Sequence, residues 1–491
     1  MNARAILQSG AVVGPRRWLL DAGRWHALGP GQGLSFLGLW GEPGFAHAAF
    51  LDEAHGDVLL ASIAAAHGHV PALSPRWPAA TLFERALHDL WAITAEGGTD
   101  ARPFLDHGRW PLLGPLSGRP TPQTPHAPEM TFLPATGEGV HVIPVGPIHA
   151  GVIEPGHFRF HVQGEFIVRL EVRLGYAHKG TLSLIQGKPP RAAARYAARL
   201  SGDSTVAHSL AFARAAEAAL AVQVPPRAAG LRAAMLELER LHNHLNDLGF
   251  ITQDAGFAII HARTGWLRER LLRAQADAFG HRLMMDRVTP GGVAQDVTSA
   301  GLVALLAALT AVAAELPALL HHYESHSSLQ DRVQGTGVIA HALVAQYAPG
   351  GVVGRAAGRA FDARLLTGEL APGALILHTG ADVDARWRQR HAEAAQSVAF
   401  LQTLLPHLPA GELSAPLPPV AGEGVALVEG FRGDCLAWMR LDGAGGIEAC
   451  WLRDPSWLHW PLLEAAVIGN IVADFPLINK SINASYSGVD L

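Results

Sequence analysis

Helical periodicity sustained over about 230 residues, with strand-like segments at either end, most limits the folds open to this chain. Residues 204–222 place Ala, Leu and Val at helical spacing. Residues 228–248 do the same and end at Gly249, a residue suited to a helix C-cap. Segments 259–279, 300–325 and 384–404 continue the pattern, and together these predict a helical bundle. Before them, 157–163 and 167–173 alternate as strands do; after them, 422–454 alternates between Gly-rich turns and predicts a small sheet. Toward the N-terminus, apolar runs at 34–39 and 58–63 are broken by Gly and Pro. Residues 111–134 are Pro-rich and aperiodic, as a linker is. The expected fold class is α+β. A small N-terminal α/β domain spans 1–108 and a Pro-rich linker 109–139. A mainly α-helical bundle domain with small peripheral β-sheets spans 140–491.

Composition narrows the function. Lys and Arg number 38 against 43 Asp and Glu, a net charge of −5, so no basic excess is available for phosphates and a nucleic-acid partner is excluded. Hydrophobic residues make up 49% and charged residues 16% of the 491, which suits large cores and a surface partly covered by partners. The two cysteines, Cys435 and Cys450, are too few for a four-thiolate iron–sulfur or zinc site, or for a disulfide framework. A cytosol-facing protein is the expectation. The first 14 residues lack the order of a signal peptide. The apolar stretch 302–320 carries Glu315 and Pro317 and reads as a buried bundle helix rather than a membrane span. No Gly-x-Gly-x-x-Gly fingerprint follows a strand, so a nicotinamide would bind elsewhere.

Four stretches carry candidate chemistry. Gly146-Pro-Ile-His149 through His157 sets two histidines in a Gly/Pro loop, suited either to gripping a polar ligand or to decorating a surface hairpin. Arg199-Leu-Ser201-Gly-Asp203-Ser204 opens a helix, and its hydroxyls and carboxylate read as N-cap chemistry. No nucleophile elbow surrounds these serines, so a hydrolase is poorly supported. Glu237-Leu-Glu239-Arg240-Leu-His242-Asn-His244 through Asp247 offers ion pairs on one helix; His242 and His244, two apart, point to different faces and do not share a metal. The C-terminal Asn483-Ala-Ser485-Tyr486-Ser-Gly488 follows a Trp-rich segment that argues it docks.

Taken together, these stretches resemble the large subunit of membrane-bound, energy-converting NiFe hydrogenases of the formate-hydrogenlyase (hydrogenase-4 component G) type, a family homologous to the quinone-site subunit of complex I. The resemblance rests on Gly146-Pro-x-His, Gly175-Tyr-Ala-His-Lys-Gly, the Glu237–His244 stretch, Gly280-His-Arg, Pro290-Gly-Gly-Val and Arg453-Asp-Pro-Ser. Residues 1–108 resemble the complex I small subunit, fused in front as a domain and carried by Pro78-Ala-Ala-Thr-Leu-Phe-Glu-Arg-Ala-Leu-His-Asp-Leu. Where the family holds its metal with two cysteine pairs, this chain has Ser201 and Ser204 at the first pair, and Ser485 and Gly488 at the second. Hydroxyls ionise too weakly to replace thiolates on soft metals. The resemblance therefore implies no metal centre, no cofactor bound by this chain, and a complex I-like role.

In that role a 4Fe-4S cluster sits in a partner Fe–S small subunit. Multi-spanning antiporter-like membrane subunits are the other partners, and quinone is a possible acceptor. His149 or His157 would be the headgroup-side histidine, and Asp203 would stand in the former metal loop. Arg199, Ser201, Ser204 and Ser485 would line the cavity, with Glu239, Arg240 and Asp247 as a buried chain leading from it. The family's quinone-binding Tyr is absent: Gly202 stands in its place, and Tyr176, Tyr196 and Tyr486 lie elsewhere. The implied location is peripheral, on the cytoplasmic side of the membrane. A non-catalytic scaffold holding the Fe–S subunit is the competing reading.

Overall fold

The computed structural model describes residues 3–31, 33–125, 131–150, 153–370 and 372–491. Gly151 and Val152 of the first motif, and 126–130 of the Pro-rich stretch, lie outside them. Near the N-terminus, five strands form one sheet: β1 (Ala11–Gly14), β2 (Arg17–Leu20), β3 (Ser35–Glu42), β4 (Phe45–Asp52) and β5 (Asp57–Ala64). Their order is β1-β2-β5-β4-β3, antiparallel except for the parallel β2–β5 pair. Helix α1 (Thr81–Trp91) covers one face through Phe83 and Leu87. Three further strands, β6 (Val140–Val145), β7 (His157–Gln163) and β8 (Phe166–Arg173), make an antiparallel sheet.

The bundle is α2 (Thr205–Leu220), α3 (Pro226–Asp254), α4 (Ala258–Phe279), α5 (Ser299–Ser325) and α6 (Val383–Leu404). A third sheet follows, β9 (Gly422–Glu429), β10 (Asp434–Leu441) and β11 (Ile447–Arg453), then α7 (Ser456–Ala466) and α8 (Phe475–Ile482). The two cysteines sit on β10 and β11. Aromatic side chains join the small sheet to the rest: Trp40 stacks on Trp451 with centroids 6.1 Å apart, and Phe83 on Trp457 at 4.6 Å. Burial of such rings is the dominant attraction across this junction.

Two expectations change. Helix α3 does not end at Gly249 but continues to Asp254. A Cβ at Gly249 would come within 2.4 Å of the Thr264 hydroxyl on α4, so the glycine serves the close crossing of two helices rather than a cap. Helix α5 is not a fully buried bundle helix. Only 33% of its most apolar window is buried, and Val303 is 69% exposed. It is the one helix among the described residues long and apolar enough to cross a membrane.

Candidate functional site

Two of the serines singled out in the sequence meet across the chain. Ser201 Oγ and Ser485 Oγ lie 2.9 Å apart and both residues are buried. Ser201 donates to Asp203 Oδ1 at 2.9 Å, so the shared hydrogen comes from Ser485, which itself accepts the Gly488 N–H at 3.0 Å. The result is a directed chain from Gly488 through two hydroxyls to a carboxylate. Arg432 closes it. Its two terminal nitrogens grip the Asp203 oxygens at 2.6 Å each, one also reaches Ser204 Oγ at 3.0 Å, and its Nε donates to the Asn483 carbonyl. Burial alone would raise the Asp203 carboxyl, but the guanidinium and the Ser201 hydroxyl hold it below the usual carboxylate range.

These donors do not fit a nickel–iron centre. Ser201 and Ser485 spend their hydrogen bonds on each other and on Asp203, Ser204 accepts from Arg432, and Gly488 has no side chain to offer. At Gly488 a Cβ would come within 2.6 Å of the Asp454 carboxyl carbon, so no side chain of any kind fits there without rearrangement.

The two loop histidines part company. Strand β7 alternates faces, so Phe158 and His157 point apart. Phe158 turns inward to Tyr486 (6.2 Å), Trp460 (6.1 Å) and Phe475 (4.9 Å). His149 joins that side, 5.5 Å from Phe158, with Nε2 donating to the Gly156 carbonyl at 2.7 Å. His157 packs instead near Phe132 at 5.4 Å, half-exposed, with Nδ1 3.3 Å from the Gly146 carbonyl; burial lowers its imidazole pKa. The structure thus sets His149 on the Phe158 side and His157 on the Phe132 side. Arg199 is not brought to the serine junction. Its exposed guanidinium makes a two-pronged pair with Asp286 at 2.7 and 2.8 Å.

The N-cap reading of the Ser201–Ser204 loop also changes. No side chain of that loop caps α2. Glu239, reaching across from α3, accepts the Val206 and Ala207 N–H groups at 2.6 and 2.9 Å. Burial pushes its carboxyl up to about 8, against the pull of those two donors. Arg240 turns elsewhere, donating to the Glu429 and Gly430 carbonyls at 2.7 and 3.0 Å and to Glu237 at 3.2 Å. Asp247 accepts from Asn483 Nδ2 and from Arg390 Nε, each at 2.9 Å. Rather than one file of charges, the three residues hold three separate segments from the spine of α3. His242 and His244 do diverge, toward Gln275 and Glu393 respectively.

Four further residues lie at the junction that the sequence assigned no role there. Arg432 sits at a turn flanked by Gly430 and Gly433, a signature visible in the Gly-rich turns of the last sheet. Asn483 is the left-handed C-cap of α8. Tyr486 lies against Gly156 and Trp460, and burial raises its phenol to about 12. Glu154 accepts the Ser487 N–H at 2.9 Å. Nothing in the local sequence of Glu154 or Tyr486 signals this, because their partners come from the other end of the chain.

The family of the 49 kDa subunit of the respiratory-chain NADH dehydrogenase matches residues 254–421, nickel-dependent hydrogenases match 179–247, and the 30 kDa subunit of the same dehydrogenase matches 44–121. Hydrogenase-4 component G of Escherichia coli (strain K12) is 29% identical over 444 residues, 88% of this chain and 78% of that one. Formate hydrogenlyase subunit 5 of the same organism is 29% identical over 438 residues, covering 86% and 76%. The carbon monoxide-induced hydrogenase of Rhodospirillum rubrum is 28% identical over 358 residues, covering 71% and 98%. A chain in the structure of the membrane-bound sulfane sulfur reductase, an archaeal respiratory membrane complex, superposes with a TM-score of 0.67 at 23% identity, over 72% of this chain and 99% of that one. That likeness shows the fold.

Proposed function

We propose, from the premise that this chain belongs to the family uniting nickel-dependent hydrogenase large subunits with the 49 kDa and 30 kDa subunits of the respiratory NADH dehydrogenase, that it is the peripheral redox subunit of a membrane-bound complex and works without a nickel–iron centre. The observation that carries this reading is the 2.9 Å hydrogen bond between Ser201 and Ser485: the two ligand loops keep their approach while their chemistry has become proton-bearing. Electrons come from a 4Fe-4S cluster in an Fe–S small subunit. The acceptor, of quinone type, lies beside the serine junction on the side of His149 and Tyr486. Reducing a quinone to a quinol takes two electrons, passed singly from the cluster, and two protons taken up from water. The Ser201 and Ser485 hydroxyls are polar partners beside the acceptor, and His149 orients it. Multi-spanning antiporter-like subunits convert the charge change into ion translocation, with this chain on the cytoplasmic face.

A scaffold role is favoured by one observation: Arg432 fills the space between the loops and its donors are already taken. The decisive experiment isolates the tagged protein from membranes in mild detergent and identifies its partners by mass spectrometry, followed by nickel analysis and quinone-reductase assay. An Fe–S subunit with multi-spanning partners, no nickel, and turnover that falls in His149→Ala supports the redox reading. The same assembly with turnover indifferent to His149→Ala supports the scaffold. Stoichiometric nickel overturns both.

A further inference from the structure

Between the N-terminal domain and the segment that follows β8 lies a cavity of about 280 Å³, partly open to solvent. Leu90 of α1 and Leu182 line it from the two domains, and Trp110, Pro111 and Pro115 line it from the Pro-rich stretch. That part of the stretch is fastened in place rather than free as a linker would be. The Leu116 N–H donates to the Leu90 carbonyl at 2.8 Å, and the Gln123 N–H to the Pro111 carbonyl at 3.0 Å. Gln123 Nε2 adds bonds to the Trp110 carbonyl at 3.1 Å and to Asp106 Oδ2 at 2.8 Å. At Gly114, where φ is +62°, a Cβ would come within 2.8 Å of the Ala92 Cβ, so the stretch lies hard against the end of α1. The cavity walls are therefore set before anything enters, as ligand sites at domain junctions are.

The lining is apolar apart from one directed atom. No Asp, Glu, Lys or Arg is among its described residues. Lys179, beside it in sequence, spends its ammonium on the Leu200 and Ser487 carbonyls at 3.3 and 3.2 Å. His178 lies against Trp110 with ring centroids 4.9 Å apart. Its Nδ1 donates to the Asp490 carbonyl at 2.6 Å, and burial lowers the imidazole pKa, so the ring is neutral and Nε2 carries a lone pair. With Nδ1 turned to the backbone, the Nε2 edge is what the ring offers the cavity. Nε2 has no donor among the described residues, and it is not one of the buried unpartnered nitrogens.

We propose that this cavity binds an uncharged, flat molecule of one or two rings that donates one hydrogen bond, from N–H or O–H, to His178 Nε2. The size follows from the volume: a cavity of about 150 Å³ holds one benzene, and this one is nearly twice as large. Neutrality follows from walls that offer no counter-charge, against which a buried ion is costly. The flat shape follows from the Trp110 ring and the two prolines, and the donor from the lone pair of His178.

The test is calorimetric titration of the full-length chain with indole and with benzofuran, which has the same two-ring shape but an oxygen in place of the N–H. It needs no electron donor or partner, so a failure of the redox reading leaves it unaffected. Saturable indole binding, with benzofuran at least about 10-fold weaker, is expected, because a site built around a hydrogen bond rejects the analogue that lacks it. His178→Phe keeps a flat ring against Trp110 and removes the acceptor; indole should fall to the level of benzofuran, whose own binding stays within about two-fold. Ser183, an exposed lining residue, gives a second variant that leaves the core untouched: Ser183→Trp fills the cavity and should weaken both compounds at least about 10-fold. Melting transitions check the folding of each variant, and should His178→Phe fail to fold, Ser183→Trp carries the test. Absence of saturable heat, indole and benzofuran bound equally by wild type, or indole bound at full strength by His178→Phe or Ser183→Trp overturns the proposal.

Discussion

Arg432→Met keeps the apolar stem and removes every donor that closes the serine junction. The substitution strips Asp203 of two 2.6 Å contacts, Ser204 of one at 3.0 Å, and the Asn483 carbonyl of its donor. Removing one member of a buried ion pair costs about 3–5 kcal/mol, because the other charge is left uncompensated. The Asp203 side chain keeps 41% of its exposure, so water re-solvates part of it and about 2–3 kcal/mol is the expected loss at neutral pH. The sign of the pH dependence follows from the lowered Asp203 pKa. A carboxyl whose folded value lies below its unfolded value of about 3.9 contributes stability above that pH and loses it as pH falls through the folded value. The Arg432→Met penalty is therefore full at pH 7 and shrinks below about pH 4. Urea unfolding of wild type, Arg432→Met, Asp203→Asn and the double variant closes a cycle in which the double costs about 2 kcal/mol less than the two singles added. A coupling under about 0.5 kcal/mol, or a penalty that stays constant with pH, refutes the idea that this ion pair locks the site.

Three further outcomes are expected. Gly488→Ala drives a methyl toward the Asp454 carboxyl, 2.6 Å from the ideal Cβ, and should cost about 1–3 kcal/mol, read as a fall in the melting midpoint; an unchanged midpoint means the C-terminal loop yields freely. Glu464, which accepts the Val172 N–H at 2.7 Å, has its carboxyl pushed by burial up to about 7. Because the folded value is the higher one, its contribution is intact below about pH 4.3 and is lost as pH rises through 7, so Glu464→Gln should gain on wild type between pH 5 and pH 8; parallel melting curves would contradict this. In the assembled complex, His149→Ala should lower kcat at least 10-fold while His157→Ala leaves it within about two-fold, and equal effects would undo the face assignment of β7.

Periodicity made the bundle legible: the ends expected for α2, α4, α5 and α6 fall within two residues of those observed. It failed at Gly249 because a local cue for a helix end and a steric need for a close crossing select the same residue. The histidine choice was legible in principle, since period-two alternation separates His157 from the inward Phe158. What single-sequence reasoning had no means to reach is the pairing of groups far apart in the chain: Ser201 with Ser485, Asp203 with Arg432, Glu239 with the first turn of α2. A buried donor declares its need for a partner but not the partner's address.

The three residues read as a coupling chain show how that limit distorts an otherwise sound choice. Glu239, Arg240 and Asp247 are buried, and each grips a different segment beside the serine junction. Glu239 fixes the backbone after Ser204, Arg240 fixes the start of the turn that carries Arg432, and Asp247 fixes Asn483, whose carbonyl receives Arg432. All three grips lead to one guanidinium. A charge change at any of them therefore alters the position of Arg432 before it alters anything farther away, so α3 acts on the junction as a common support, and its substitutions should be non-additive with Arg432→Met wherever the two are combined.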